Sequence, residues 1–270
     1  MERFNRLYTF VILIIMSIVF SNVVQSEPLK GTNKQIVNVG FMSSIKRVDE
    51  GKYVGALPDI MRMITSELNY DVKLQAMPIK RLLKSLEAGR LDVVIGLFKR
   101  QEREVYADYL SLPIGWVCAN IFVPALPNQK ISGSPASFSK KRIGMLRGAN
   151  WGQKLADVFS EHQIMKTDVA SYTVLAKMLD KGRFDAVVAS NDAFQSAANQ
   201  LDLKHQFVNF PLSNTNSLAM YILVSKHSKF AQEAQLTSKF NLALDTLTKN
   251  DSIRQIYRRH NKTFDEHCIK

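Results

Sequence analysis

The chain has 270 residues, 46% of them apolar, so it can bury a sizeable core and its composition excludes disorder. A formal charge of +12 favours anionic partners, yet the basic residues are scattered and no zinc-finger or RNA-recognition signature is present, which argues against a nucleic-acid binder. The 2 cysteines, Cys118 and Cys268, exclude a disulfide-rich scaffold and allow one bridge in an oxidising compartment.

The amino terminus places Arg3 and Arg6 before an apolar run over residues 7–20, followed by small and polar residues to Ser26 and then Pro28. This order describes a secretory signal peptide over 1–26, with Val24 and Ser26 suited to the positions three and one before the cut. The run is short for a span of ~20 residues. No cysteine near the junction could carry a lipid. A soluble mature chain from Glu27, in the periplasm, is expected.

Residues 36–41 read as a first strand, 59–68 as a helix with Ile60, Met63, Ile64 and Glu67 along it, and 72–75 as a second strand. An internal repeat follows. Leu82, Leu86, Gly89, Arg90, Asp92 and Val94 match Leu175, Leu179, Gly182, Arg183, Asp185 and Val187 at one constant offset. Each copy reads as a helix, a glycine in the left-handed capping position, and an aspartate that opens a short apolar strand. The first helix carries Ile79, Leu82, Leu83 and Leu86 on one face, the second Tyr172, Leu175, Met178 and Leu179. Between the copies, 142–146 reads as a strand and 151–159 as a helix, entered through Gly148-Ala-Asn-Trp-Gly152 with Asn150 as a possible cap. Residues 214–224 read as a long strand, and 229–247 and 251–259 as closing helices.

Strands alternating with helices imply parallel sheets covered on both faces. The duplication implies two lobes, 27–118 with 212–270 and 119–211, joined by two crossing strands near 110–123 and 212–224 that make a hinge. A ligand would sit at the carboxyl ends of the strands.

Six segments carry a resemblance by their order and spacing over residues 35–262. They are Gly55-Ala-Leu-Pro-Asp-Ile60, Leu86-Glu-Ala-Gly-Arg-Leu-Asp-Val-Val-Ile-Gly96, Glu102-Arg103, Tyr109-Leu-Ser-Leu-Pro113, Arg142-Ile-Gly-Met-Leu-Arg-Gly148 and Gly182-Arg-Phe-Asp-Ala186. Together they resemble the bacterial solute-binding protein family 3, the polar amino-acid receptors of ABC importers. The resemblance implies the two-lobed α/β periplasmic binding protein fold of type II. It also implies a monomer that closes on a small polar or anionic solute, without a cofactor or metal, and presents it to an inner-membrane ABC permease or sensor.

The resemblance places Arg103 on the ligand carboxylate, where a guanidinium can donate two parallel hydrogen bonds. Its Thr-x-x-Arg motif reads Arg100-Gln-Glu-Arg103 here, a departure at the threonine. A surface pairing of Arg103 with Glu102, Glu104 or Asp108 is the alternative. The loop with Gly148, Asn150 and Trp151 would offer backbone N–H groups to the same anion. Gly96 ends the third strand, and Phe41, Tyr53, Phe98 and Trp151 are candidate aromatic walls. Where the family's amino-acid receptors hold the α-ammonium with a carboxylate, this chain has Ser190, followed by Asn191, which puts a standard amino-acid ligand in doubt. Asp192 begins the next helix.

An enzyme on the same fold, dehydratase-like, is the runner-up reading, and a ligand-sensing module docked on a membrane partner is a third. None of His162, His205, His227, His260 or His267 falls in a metal-binding spacing, and no nucleophile elbow or phosphate-binding glycine loop is present. A binding protein, not an enzyme, is the expectation.

Overall fold

The computed structural model describes residues 34–45, 47–126, 134–149, 151–203, 205–212, 217–262 and 264. The signal-peptide segment, Asn150 and Cys268 lie outside the described residues. β1 (Ile36–Met42) pairs in parallel with β4 (Asp71–Met77) and β5 (Val93–Phe98). β13 (Leu218–Ser225) runs antiparallel beside β5 and also pairs with β6 (Ala107–Tyr109) and β7 (Gly115–Val117). In the second sheet, β9 (Arg142–Leu146) lies in parallel between β10 (Met165–Val169) and β11 (Ala186–Ala189). β8 (Asn120–Pro124) runs antiparallel to β11, and β12 (Phe207–Pro211) to β8. A hairpin of β2 (Arg47–Asp49) and β3 (Lys52–Val54) stands apart.

Both sheets are therefore parallel at their centre, as the alternating pattern predicts, and antiparallel where the chain passes between them. That passage explains the antiparallel strands. β7 pairs with β13, the Leu212 N–H donates to the Ala119 carbonyl at 2.9 Å, and β8 pairs with β12. The outgoing and returning segments thus run side by side as a two-stranded ribbon joining the lobes. Of the strand expected over 214–224, the described part runs from Leu218, and residues 214–216 lie outside the described residues. β10, exposed at four of its five positions, and β12, half-buried at three of five, are additions to the predicted set.

The repeat is physically the same joint built twice. Gly89 and Gly182 both take left-handed φ, 66° and 64°, just past the Ile79–Glu87 and Tyr172–Asp180 helices. The Asp92 N–H donates to the Asn38 carbonyl, and the Asp92 carboxylate accepts the Asn38 N–H at 2.7 Å. The Asp185 N–H likewise donates to the Arg142 carbonyl, and its carboxylate accepts the Arg142 N–H at 2.8 Å. Each aspartate therefore locks the start of its own strand to the start of the neighbouring one. This is why the glycine and the aspartate recur at one offset. The copies differ in burial: Asp92 is 4% exposed and also accepts from Ser228, whereas Asp185 pairs with a half-exposed Arg142 side chain.

Helices cover both faces of each sheet. On the first, the Ala56–Glu67, Leu236–Lys249 and Ser252–Arg259 helices pack Ile60, Met61, Ile64, Phe240, Leu244 and Ile256 against Val37, Val39 and Ile95. Met61 and Thr65 complete the buried face of the Ala56–Glu67 helix; Met63 is only half-buried and Glu67 is exposed. The opposite face takes Leu82 and Leu86 of the Ile79–Glu87 helix. On the second sheet, the Tyr172–Asp180 and Asn191–Gln200 helices bury Leu175, Leu179, Phe194 and Ala198. Full burial of each large apolar side chain contributes roughly 1.5–3 kcal/mol. The helix expected over 229–247 is broken at Gln235, which takes φ 53°, into Lys229–Glu233 and Leu236–Lys249. No helix among the described residues is long and apolar enough to cross a membrane.

Candidate functional site

A cavity of about 450 Å³ opens where β5 and β9 end, and both sheets contribute to its lining. The first lobe reaches it through a bulge. β13 skips Gly96 in its register with β5, and Gly96 takes φ 85°. A Cβ there would meet Leu57 at 2.6 Å as well as strain the backbone, so the position requires glycine. The bulge sends Phe98 into the cavity and leads into the turn Gln101–Arg103.

Arg103 lines the cavity, and its Nη1 donates to the Phe98 carbonyl at 2.9 Å. That bond fixes the guanidinium and leaves its other donors for a ligand. Of the three acids that could hold it on the surface, Glu104 pairs with Lys99 and Asp108 with Lys226, each at 3.4 Å, and Glu102 forms no ion pair with it among the described residues. Arg100, at the motif's threonine position, lines the cavity too.

The second lobe supplies Gly148, Ala149 and Trp151 from the loop after β9. The Gln153–Glu161 helix starts from Gly152, which takes φ 93°. Asn150 itself lies outside the described residues. Gly148 faces Ile79 of the first lobe closely enough that a Cβ would stand 3.1 Å from it. Trp151 and Phe98 meet across the lobes with centroids 5.9 Å apart, tilted by 50°. Trp151 is 7% exposed, and its indole N–H has no hydrogen-bond partner among the described residues. Tyr172 forms another wall; burial pushes its phenol up to about 12, partly offset by the Ser190 hydroxyl beside it.

A second cavity of about 250 Å³ adjoins the first, and Ser190, Val117 and Met220 line both. Phe41, Trp116, Asn191 and Asp192 line the smaller one. Asp192 is paired with Lys262 at 2.7 Å, an ion pair between the lobes. The structure thus gathers Arg103, Gly96, Phe98, Gly148, Trp151 and Ser190 at the larger cavity, and Phe41 and Asn191 at the smaller. Tyr53 reaches neither. Its ring packs edge-on against Phe41, centroids 5.1 Å apart, so the pair belongs to the core of the first lobe. Lys80 and Arg147 are lining residues that the sequence reading passes over. Arg147 directly follows β9, so the rule that ligands sit at strand ends could have found it. Cys118 is buried at the start of the crossing ribbon and is not a free thiol.

The sequence pattern of the bacterial extracellular solute-binding proteins, family 3, matches residues 39–263. The chain belongs to this family. An arginine-binding extracellular protein of Bacillus subtilis (strain 168) is 20% identical over 207 residues, covering 76% of this chain and 77% of the relative. An ancestral arginine-binding protein bound to arginine superposes with a TM-score of 0.69 at 24% identity, covering 84% of this chain and 98% of that structure. A histidine kinase sensor domain similar to periplasmic binding proteins gives 0.71 at 16% identity, covering 87% and 99%. At these identities the structures share the two-lobed fold with this family 3 chain.

Proposed function

We propose that the protein is exported, cleaved after Ser26, and acts in the periplasm as a monomeric receptor. It captures a small carboxylate-bearing solute between its lobes, residues 27–118 with 212–270 and 119–211, and hands it to an ABC importer. The observation that carries this reading is the cavity at the strand ends, lined from both sheets, with the Arg103 guanidinium fixed at its wall. A ligand touching both lobes stabilises the closed arrangement by its differential affinity for that state. The proposal is binding without turnover: the titratable groups on the larger cavity's described wall are cations and the Tyr172 phenol. None of these is a carboxylate or an imidazole, the side chains that most often act as general bases.

The test is a thermal-shift screen of the exported protein against amino acids, organic acids, polyamines, sugars and phosphate compounds, with Arg103→Ala alongside. A solute at ~100 times its dissociation constant adds about 2.7 kcal/mol of stability, or roughly 2–4 °C of midpoint per kcal/mol for a chain of this size. A shift from carboxylates that Arg103→Ala abolishes supports the reading. An equal shift in the variant removes Arg103 from the site, and no shift by any compound overturns the receptor role.

A further inference from the structure

We infer that the cleft selects organic anions with an apolar or aromatic body and no α-ammonium group. This deepens the receptor reading and rests on it. The cavity's described lining holds Lys80, Arg100, Arg103 and Arg147 and not one aspartate, glutamate or histidine. Lys80, Arg103 and Arg147 form no ion pair among the described residues, so their charge is not cancelled locally. Two of these cations oppose each other by origin: Arg103 follows the last strand of the first lobe's repeat, and Arg147 follows β9 of the second.

An ammonium placed here would lose water, meet like charges, and find no carboxylate to replace its hydration. Asp192, the acid on the adjoining cavity, is ion-paired with Lys262 at 2.7 Å. The polar groups that remain prefer acceptors. The Trp151 indole N–H is a donor only, is buried, and has no partner among the described residues. A buried donor left unsatisfied is costly, and an oxygen of the solute would satisfy it. Between the charged groups the wall is apolar, formed by Ile79, Leu97, Phe98, Leu146 and Met220. A carboxylate, 2-oxo acid or hydroxy acid on an alkyl or aryl body matches every part of this surface. Arginine matches this surface only through its carboxylate and alkyl stem, since its α-ammonium and guanidinium would both meet like charge.

Matched pairs that differ at the ammonium decide the matter: phenylalanine against phenylpyruvate and phenyllactate, glutamate against 2-oxoglutarate, leucine against 2-oxoisocaproate, with arginine alone. Titration calorimetry on the exported protein should show the deaminated member of at least one pair binding tenfold or more tightly. Arg147→Ala should weaken that binding at least tenfold, and Trp151→Phe, which keeps a ring but removes the donor, severalfold. Ser190→Asp should narrow the preference by supplying an acid; Ser190 is the N-cap of the Asn191–Gln200 helix, a position where aspartate is favoured. Amino acids binding as tightly as their deaminated partners, or arginine binding at all comparably, would overturn the inference while leaving the receptor reading intact. Binding confined to sugars or polyamines would overturn the inference and, with it, the carboxylate part of the receptor reading. Silence from every compound, including the wider screen, removes both.

Discussion

The two copies of the helix–glycine–aspartate joint allow a controlled comparison of one hydrogen-bonding arrangement at two depths. Asp92→Ala removes a carboxylate that accepts the Asn38 N–H at 2.7 Å, the Asn38 side-chain amide at 3.1 Å and the Ser228 hydroxyl. The Asn38 side chain is half-buried and can turn to water, but its backbone N–H and the Ser228 hydroxyl, on a residue 1% exposed, cannot. Two charge-assisted bonds lost at roughly 2 kcal/mol each give a cost of about 4 kcal/mol. In a chain of this size that is a fall in midpoint of about 8–16 °C. Asp185→Ala removes bonds to the Arg142 N–H at 2.8 Å and to its guanidinium, on a side chain 49% exposed. Solvent takes over most of these, so the loss is about 1 kcal/mol. Thermal and urea melts of both variants, with deuterium exchange at amide 38 as a local probe, measure the difference. Equal losses from the two variants, or a loss below about 2 kcal/mol for Asp92→Ala, would refute the assignment of the cost to buried, unsatisfied groups.

Three further outcomes are expected. Gly182→Ala should cost about 1–2 kcal/mol for its left-handed backbone, whereas Gly89→Ala should cost at least twice that, because its Cβ would lie 2.3 Å from the His227 carbonyl oxygen while Gly182 has open space; urea midpoints compare them. The Arg142 side chain hydrogen-bonded to Asp185 holds that carboxyl below its ordinary value. The stability it supplies is therefore present above the unfolded pKa of ~3.9 and lost as pH falls through the lower folded value; the stability gap between wild type and Asp185→Asn should close below about pH 4. The proposed Cys118–Cys268 bridge closes a long loop, so reduction should cost about 2–5 kcal/mol, and non-reducing peptide mapping should yield the linked pair.

The fold was largely legible because its information is local and repeated. The left-handed glycines and strand-opening aspartates mark where helix gives way to strand, and the apolar runs 93–95 and 186–188 can sit only inside a sheet. β10 was not legible, since Met165–Val169 is exposed at four of five positions and offers no apolar run. Arg103, Gly148, Trp151 and Ser190 reached the cavity because strand ends are readable from sequence. Tyr53 did not: its ring turns to Phe41, a contact fixed by how a hairpin folds over the first strand. Lys80 and Tyr172 were hidden for the opposite reason. Both sit in the first turn of helices whose apolar spacing reads as packing alone, yet that turn is where each helix looks into the cleft.

The chain contains 2 tryptophans, and they sit on the two adjoining cavities, Trp151 on the larger and Trp116 on the smaller. Emission excited at the indole band thus originates entirely from the cleft, with no distant fluorophore to dilute it. Trp151 spans the interface between lobes through Phe98, so its emission colour should respond when the lobes part and water reaches the ring. The molecule is in this sense its own optical gauge of opening, readable without any attached dye.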